Sequence, residues 1–224
     1  MAEWLKYLLT ALIGYALGNI SIGILVARAW GVKDIRNCGS GNAGSTNVLR
    51  TLGWTASIFT LVGDCGKAYL ASMIGKWIAG DIGLLVGGLF CIIGHDFPVM
   101  LNFRGGKGVA STLGLAFAIN PLLGPTMLCI NILIVAITRY MSIASLACAI
   151  TFPICTALWT IDYPNHIACI IAALIASLLS VFCHRKNIAR LAHHEENQLD
   201  FDKISRLSKR FKIRFKKDKE ESQQ

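Results

Sequence analysis

Apolar residues fall in six long blocks, near residues 4 to 27, 52 to 75, 79 to 101, 111 to 138, 142 to 161 and 165 to 183, with short polar segments between them. Most approach the ~20 residues a helix needs to cross ~30 Å of hydrocarbon. The pattern predicts an all-α, polytopic integral membrane protein. The first block carries Lys6, is too long for a removable signal peptide and has no small-residue cleavage site, so it reads as a retained span. The fourth block contains Asn120-Pro121 and Gly124-Pro125, and because proline disfavours uninterrupted helix it is predicted to break in two. Phe97-Pro98 marks where the third span ends or bends.

Composition agrees: with 54% hydrophobic and 16% charged residues, the 224-residue chain is too apolar for an ordinary soluble domain. Its net charge of +9 belongs to loops and tail, since 12 of the 22 Lys and Arg lie between residues 184 and 224 and four more between Arg28 and Arg50. In so hydrophobic a chain the positive-inside rule and anionic lipid headgroups account for this clustering, and nucleic acid is not an expected partner. If the Arg28 to Arg50 loop, the loop around Arg104 and Lys107, and the tail all face the cytoplasm, the N-terminus lies outside and the number of spans is odd. Dividing the fourth block into 111 to 119 and 122 to 138 gives seven transmembrane helices, one of them short, with the C-terminus cytoplasmic. Five spans plus a re-entrant hairpin satisfy the same parity. Either way, three basic polar segments share one face.

The first of these segments is Asn37-Cys-Gly-Ser-Gly-Asn-Ala-Gly-Ser-Thr-Asn-Val-Leu-Arg50. Its glycines (Gly39, Gly41, Gly44), hydroxyls (Ser40, Thr46), amides (Asn42, Asn47) and guanidinium (Arg50) are the groups that cradle a phosphate at a helix N-terminus. No lysine follows Gly44, so it is not a Walker A loop. The second is the glycine-rich basic loop Arg104-Gly105-Gly106-Lys107-Gly108, where backbone N–H groups can converge on an anion without Cβ obstruction. The third is His184-Arg-Lys-Asn-Ile-Ala-Arg-Leu-Ala-His-His-Glu-Glu196, in which His184 and Asn187 share a helical face. Within the second block, Asp64 and Lys67 stand at i, i+3; they either neutralise each other or leave Lys67 to line an anionic substrate site. His95 either enters the site or packs beneath the second loop. The eight cysteines include no CxxC pair and read as small apolar filler. Adjacent histidines His193-His194 point apart on a helix, and no carboxylate cluster offers itself, so neither metal nor cofactor is expected.

Taken together, Gly39 to Arg50, Gly94-His-Asp-Phe-Pro through Arg104-Gly-Gly-Lys-Gly-Val-Ala110, and His184 to Arg190 resemble, in order and spacing, the PlsY family of bacterial membrane acyl-phosphate:glycerol-3-phosphate acyltransferases. The resemblance covers residues 1 to 197, taken as the membrane domain, and leaves 198 to 224 as a basic cytoplasmic tail. It implies a seven-span inner-membrane enzyme whose site faces the cytoplasm. It further implies transfer of a fatty acyl group from acyl phosphate to the 1-hydroxyl of sn-glycerol 3-phosphate, giving lysophosphatidate and phosphate, the first step of phospholipid synthesis. Membrane lipids and functional coupling to an acyl-phosphate-producing enzyme follow as partners. The family's essential serine and arginine fall on Ser40 and Arg50, its glycerol-phosphate loop on Gly105, Gly106, Lys107 and Gly108, and its third motif on His184, Asn187 and Glu196, the glutamate being structural.

An acyl phosphate already carries a good leaving group, so the chief requirements are to hold two phosphorylated substrates together and to neutralise charge, which Arg50, Lys107 and Lys67 can do. No aspartate or histidine stands beside Ser40 in sequence, so direct attack by glycerol phosphate is favoured over an acyl-serine, with Ser40 as a hydrogen-bond donor. The base is either His184 or a phosphate oxygen of the donor. The alternative of another class is a transporter of an organic phosphate, which would ordinarily carry an internal repeat; none is found. The 203 to 219 segment, mixing basic and apolar residues, reads as a membrane-surface segment.

Overall fold

The structure, a computed structural model, describes residues 2–209. Its helices are α1 (Glu3–Asn19), α2 (Ile22–Ala29), α3 (Ser45–Leu52), α4 (Trp54–Asp96), α5 (Val109–Ile119), α6 (Leu123–Thr138), α7 (Met141–Trp159), α8 (His166–Cys183) and α9 (Arg185–Ala192). Residues 201–209 form a further helix, and no strand occurs among the described residues. Four stretches, Glu3–Ala29, Trp54–Leu101, Met141–Trp159 and His166–Cys183, are long and apolar enough to cross a membrane. The perimeter is apolar, as contact with lipid requires: Trp77, Ile137, Leu158 and Leu178 are all exposed.

The second and third apolar blocks are the two arms of α4, which turns back on itself at Ala79 and Gly80, where Gly80 takes φ 66°. The two arms run antiparallel, with Gly75 against Gly83 and Ala71 against Gly87. At Gly75 a Cβ would run into the Gly83 backbone, so the arms approach as closely as small residues allow. Lys76 and Asp81 pair at 3.2 Å across the exposed turn. The third span ends at Asp96, with Phe97 and Pro98 leading out of the helix, as expected.

The fourth block does break at Asn120-Pro121. The Asn120 side chain fastens the break, its Oδ1 accepting from the Leu122 N–H at 2.8 Å and its Nδ2 donating to the Trp159 carbonyl and the Tyr163 hydroxyl. Gly124 and Pro125 begin the new helix without interrupting it, because a proline in the first turn forfeits no intrahelical bond.

The structure adds two features that the sequence leaves open. The first block is not one continuous helix: α1 stops at Asn19 and α2 begins at Ile22, with Ile20 and Ser21 extended between them. Nor does the chain leave the helical body at residue 198. Leu199 and Ile204 are each only 2% exposed and pack with Leu49, against Val135, Met141 and Phe201. Ile204, which reads in sequence as part of a membrane-surface segment, instead covers a hydrophobic seam on the protein. The remainder of the expected membrane-surface segment, from residue 210, lies outside the described residues.

Candidate active site

The three basic segments converge. Arg36, held by Asp34 through a 2.7 Å ion pair, donates from Nη1 to the Leu101 carbonyl, and Asn42 donates from Nδ2 to the Gly105 carbonyl. Lys107 Nζ bonds Asn187 Oδ1, and Arg50 Nη2 donates to the Asn197 carbonyl at 2.9 Å. First loop, glycine loop and third segment are therefore one assembly. It caps a cavity of about 510 Å³.

The cavity has two chemically distinct ends. Ser40, Arg50, Lys107, His184 and Asn187 line its polar end. Leu61, Leu113, Met127, Leu128, Ile132 and Phe152, from α4, α5, α6 and α7, line a groove that runs among the apolar helices. Ser45 and Thr46 open α3, and Val109 and Ala110 open α5; all four line the cavity. First-turn amides have no intrahelical acceptor, so two helix N-termini present N–H groups and the positive end of the dipole to the same space.

Arg50 and Lys107 supply formal positive charge there. The Nε of Arg50 is buried without a hydrogen-bond partner. A buried donor without an acceptor suits an anion. Burial pushes the Lys107 ammonium down to about 8, with Arg190 and Arg50 adding repulsion that Glu196 partly offsets. Burial likewise lowers the Arg50 guanidinium. His184 is pushed down to about 4, chiefly by burial and then by Lys107, so it is neutral at physiological pH. Its Nδ1 faces the Ser180 carbonyl at 2.8 Å, which can only accept; Nδ1 therefore carries the proton and Nε2 is left as an acceptor.

Glu196 supports this arrangement from behind. Its Oε1 accepts from Asn187 Nδ2 at 2.8 Å and its Oε2 from Arg190 Nε at 2.7 Å, so Lys107, Asn187, Glu196 and Arg190 form a chain of bonds. Burial alone would raise the Glu196 carboxyl, but the hydrogen bonds from Arg190 and Asn187 outweigh it and hold the group below the usual carboxylate range. An ionised Glu196 fixes the Asn187 amide with its oxygen toward Lys107.

Several residues expected to bind phosphate have other partners. Of the two courses open to Lys67 in sequence it takes the pairing one: its Nζ meets Asp64 Oδ1 at 2.8 Å and His95 Nδ1 at 2.9 Å, and donates to the Gly18 and Ile20 carbonyls at 3.2 and 2.7 Å. It fills the gap left where α1 stops and does not line the cavity. The Asn47 amide is also engaged within the protein: its Oδ1 accepts from the Ser40 N–H and its Nδ2 faces the carbonyls of Ile35, Cys38 and Asn42. Though it borders the cavity, its amide is consumed in shaping the loop. Asn42 is similarly engaged, with Oδ1 accepting from the Gly44 N–H. The Arg104 side chain is exposed and outside the cavity lining.

Among the glycines, Gly39, Gly41 and Gly108 take positive φ, as the two loops require. Thr46 and Gly44 border the cavity, whereas Gly39, Gly41, Gly105, Gly106 and Gly108 shape the loops without lining it. His95 packs beneath the glycine loop: its carbonyl accepts from the Gly106 N–H at 2.9 Å, and a Cβ on Gly106 would meet its imidazole. His95 and Asp64 also reach the cavity floor. The Asp34–Arg36 brace, the Arg190 partner of Glu196 and the groove residues were missed by sequence reasoning. Only the acid–base spacing of Asp34 and Arg36 offered a signal.

A family model described as glycerol-3-phosphate acyltransferase matches residues 8–194. Proteins named glycerol-3-phosphate acyltransferase from Thermoanaerobacter pseudethanolicus and Clostridioides difficile are 39% and 41% identical to this chain, covering 85% and 88% of it and 94% and 97% of their own lengths. Two crystal structures of PlsY, an integral membrane glycerol 3-phosphate acyltransferase, superpose with a TM-score of 0.78 each. The glycerol 3-phosphate form is 33% identical, covering 87% of this chain and 96% of that one. The lysophosphatidic acid form is 31% identical, covering 88% and 97%.

Proposed function

The chain belongs to the glycerol-3-phosphate acyltransferase family, and on that premise we propose that its cavity transfers a fatty acyl group from an acyl phosphate to the 1-hydroxyl of sn-glycerol 3-phosphate. The products are 1-acyl-sn-glycerol 3-phosphate and phosphate. The observation that carries this reading is the cavity itself, which joins a cationic end fit for phosphate to an apolar groove fit for an acyl chain.

In this reading the 1-hydroxyl oxygen attacks the acyl carbonyl carbon. A carbon–oxygen ester bond forms, and the bond from that carbon to the bridging phosphate oxygen breaks with its electron pair leaving on phosphate. Arg50, Lys107 and the N-termini of α3 and α5 neutralise the charge that accumulates. A histidine pushed down to about 4 is a weak base, so His184 Nε2 orients the attacking hydroxyl as acceptor and the proton passes to a phosphate oxygen. Ser40 donates to phosphate and forms no acyl-enzyme. Asn187 and Glu196 hold Lys107 in place.

The chain crosses the bacterial inner membrane seven times, with α5 as the short crossing and the site on the cytoplasmic side. Three hydrogen bonds support the seventh crossing. α5 ends at Asn120 beside Trp159 and Tyr163, whereas α6 leads back to Arg139, whose carbonyl accepts from the Leu199 N–H on the site side. α5 and α6 thus run in opposite directions. Eleven residues at ~1.5 Å each make α5 about half of a normal crossing.

Purified protein supplied with glycerol 3-phosphate and palmitoyl phosphate, with palmitoyl-CoA and an acyl-carrier-protein thioester as parallel donors, tests the assignment. Lysophosphatidate is expected from the acyl phosphate alone, falling about 100-fold or more in Ser40→Ala and Arg50→Ala. No product from any donor in folded protein would discard acyl transfer and direct attention to phosphate-ester transport. A covalent acyl-Ser40 adduct after rapid quenching would overturn direct attack.

A further inference from the structure

The family match ends at residue 194, yet the cavity wall continues past it. Leu199 and Phe201 line the cavity beside Leu49 of α3, Val135 of α6 and Met141 of α7. With Ile204 these residues form a single apolar cluster bridging the two sides of the groove. Three bonds fasten the segment across it. The Asn197 carbonyl accepts from Arg50, the Leu199 N–H donates to the Arg139 carbonyl at 2.9 Å, and Ser208 Oγ accepts from the Trp54 N–H at 2.9 Å. Phe201 also stacks on Trp54, ring planes 3° apart.

Resting on the acyltransferase reading, we propose that the 197–209 segment is a specificity wall of the active site, with Leu199 and Phe201 bounding the part of the groove next to Arg50 that receives the acyl donor. Both side chains are apolar, so they meet the chain of the donor rather than glycerol phosphate. Arg50 lies against the same segment through the Asn197 carbonyl, which places the wall where the acyl chain departs from the phosphate. Acyl selection in this protein therefore depends on residues outside the span matched by its family.

The test uses the full chain with acyl phosphates of eight to eighteen carbons. Leu199→Ala is expected to raise the KM for the preferred donor about tenfold and to shift the chain-length profile, with the KM for glycerol 3-phosphate unchanged within about twofold. The Lys33→Gln variant, exposed and outside the segment, is expected to behave as wild type. Leu199→Met and Phe201→Leu, which keep bulk while altering shape, carry the same prediction for the profile and decide the matter if the alanine variant does not fold. An unchanged profile in folded variants, or a fall in thermal stability with every kinetic constant preserved, would overturn the wall while leaving acyl transfer intact. A wild-type protein that turns over no donor would overturn both.

Discussion

Lys107 is a cation whose charge is poised against burial. An exposed lysine stays protonated to about pH 10, but here the ammonium titrates at about 8, and the charged form is the one that binds phosphate. Its charge is complete well below that value and is lost as pH rises through it. The pH profile of kcat/KM is therefore expected to be flat between about 6 and 7 and to fall above 8. Lys107→Arg should carry the falling limb to higher pH even where its maximum is reduced, because a guanidinium stays charged. His184, neutral above about 4, adds no transition in that range. A profile whose falling limb is unmoved in Lys107→Arg would assign the limb to another group. At this scale the sequence was informative about residue type and poor about direction. Ser40, Arg50, Lys107, His184 and Asn187 stood out because polar groups are scarce in so apolar a chain, and they do meet around one cavity. Lys67 and Asn47 stood out equally, but which neighbour absorbs a donor is fixed only when distant carbonyls arrive beside it.

Among elements, the junction of α1 with α4 shows how a charge can serve architecture. Asp64 is 1% exposed and Lys67 7%, deep among apolar helices, and each unpaired would cost roughly 2.5 to 3.5 kcal/mol on insertion scales. Lys67→Met leaves Asp64 without its cation and the carbonyls of Gly18 and Ile20, at the end of α1 and just past it, without that donor. It is expected to destabilise the protein by about 3–5 kcal/mol. Pairing it with Asp64→Asn should recover part of that loss, as read from thermal inactivation in detergent. Full stability of Lys67→Met would mean the network is dispensable. Proline made the division of α5 from α6 legible, and Pro98 made the end of α4 legible. Gly18-Asn19 precedes the stop at Ile20 and Ser21 but gave no clear signal inside an apolar block, and the open carbonyl of Ile20 is met from outside α1 by a side chain 47 residues away.

For the molecule as a whole, the parity of crossings is the outstanding consequence of charge placement. On a background free of native cysteines, Lys76→Cys and Asp162→Cys are expected to react with an impermeant maleimide added outside intact cells. Arg104→Cys and Lys186→Cys should react only after permeabilisation. Labelling of all four from one side would reject the seven-crossing arrangement. The basic residues of the loops are what predict this topology, whereas the docking of Ile204 was hidden because the same mixture of lysine and apolar side chains suits a lipid surface equally well. The carbonyls of Gly18 and Ile20 also impose an order in time. During synthesis they are made before Lys67, so the end of α1 waits for the next crossing to complete it. The first crossing is thereby completed only with the second, and a chain halted between them on the ribosome would leave α1 without its final fastening.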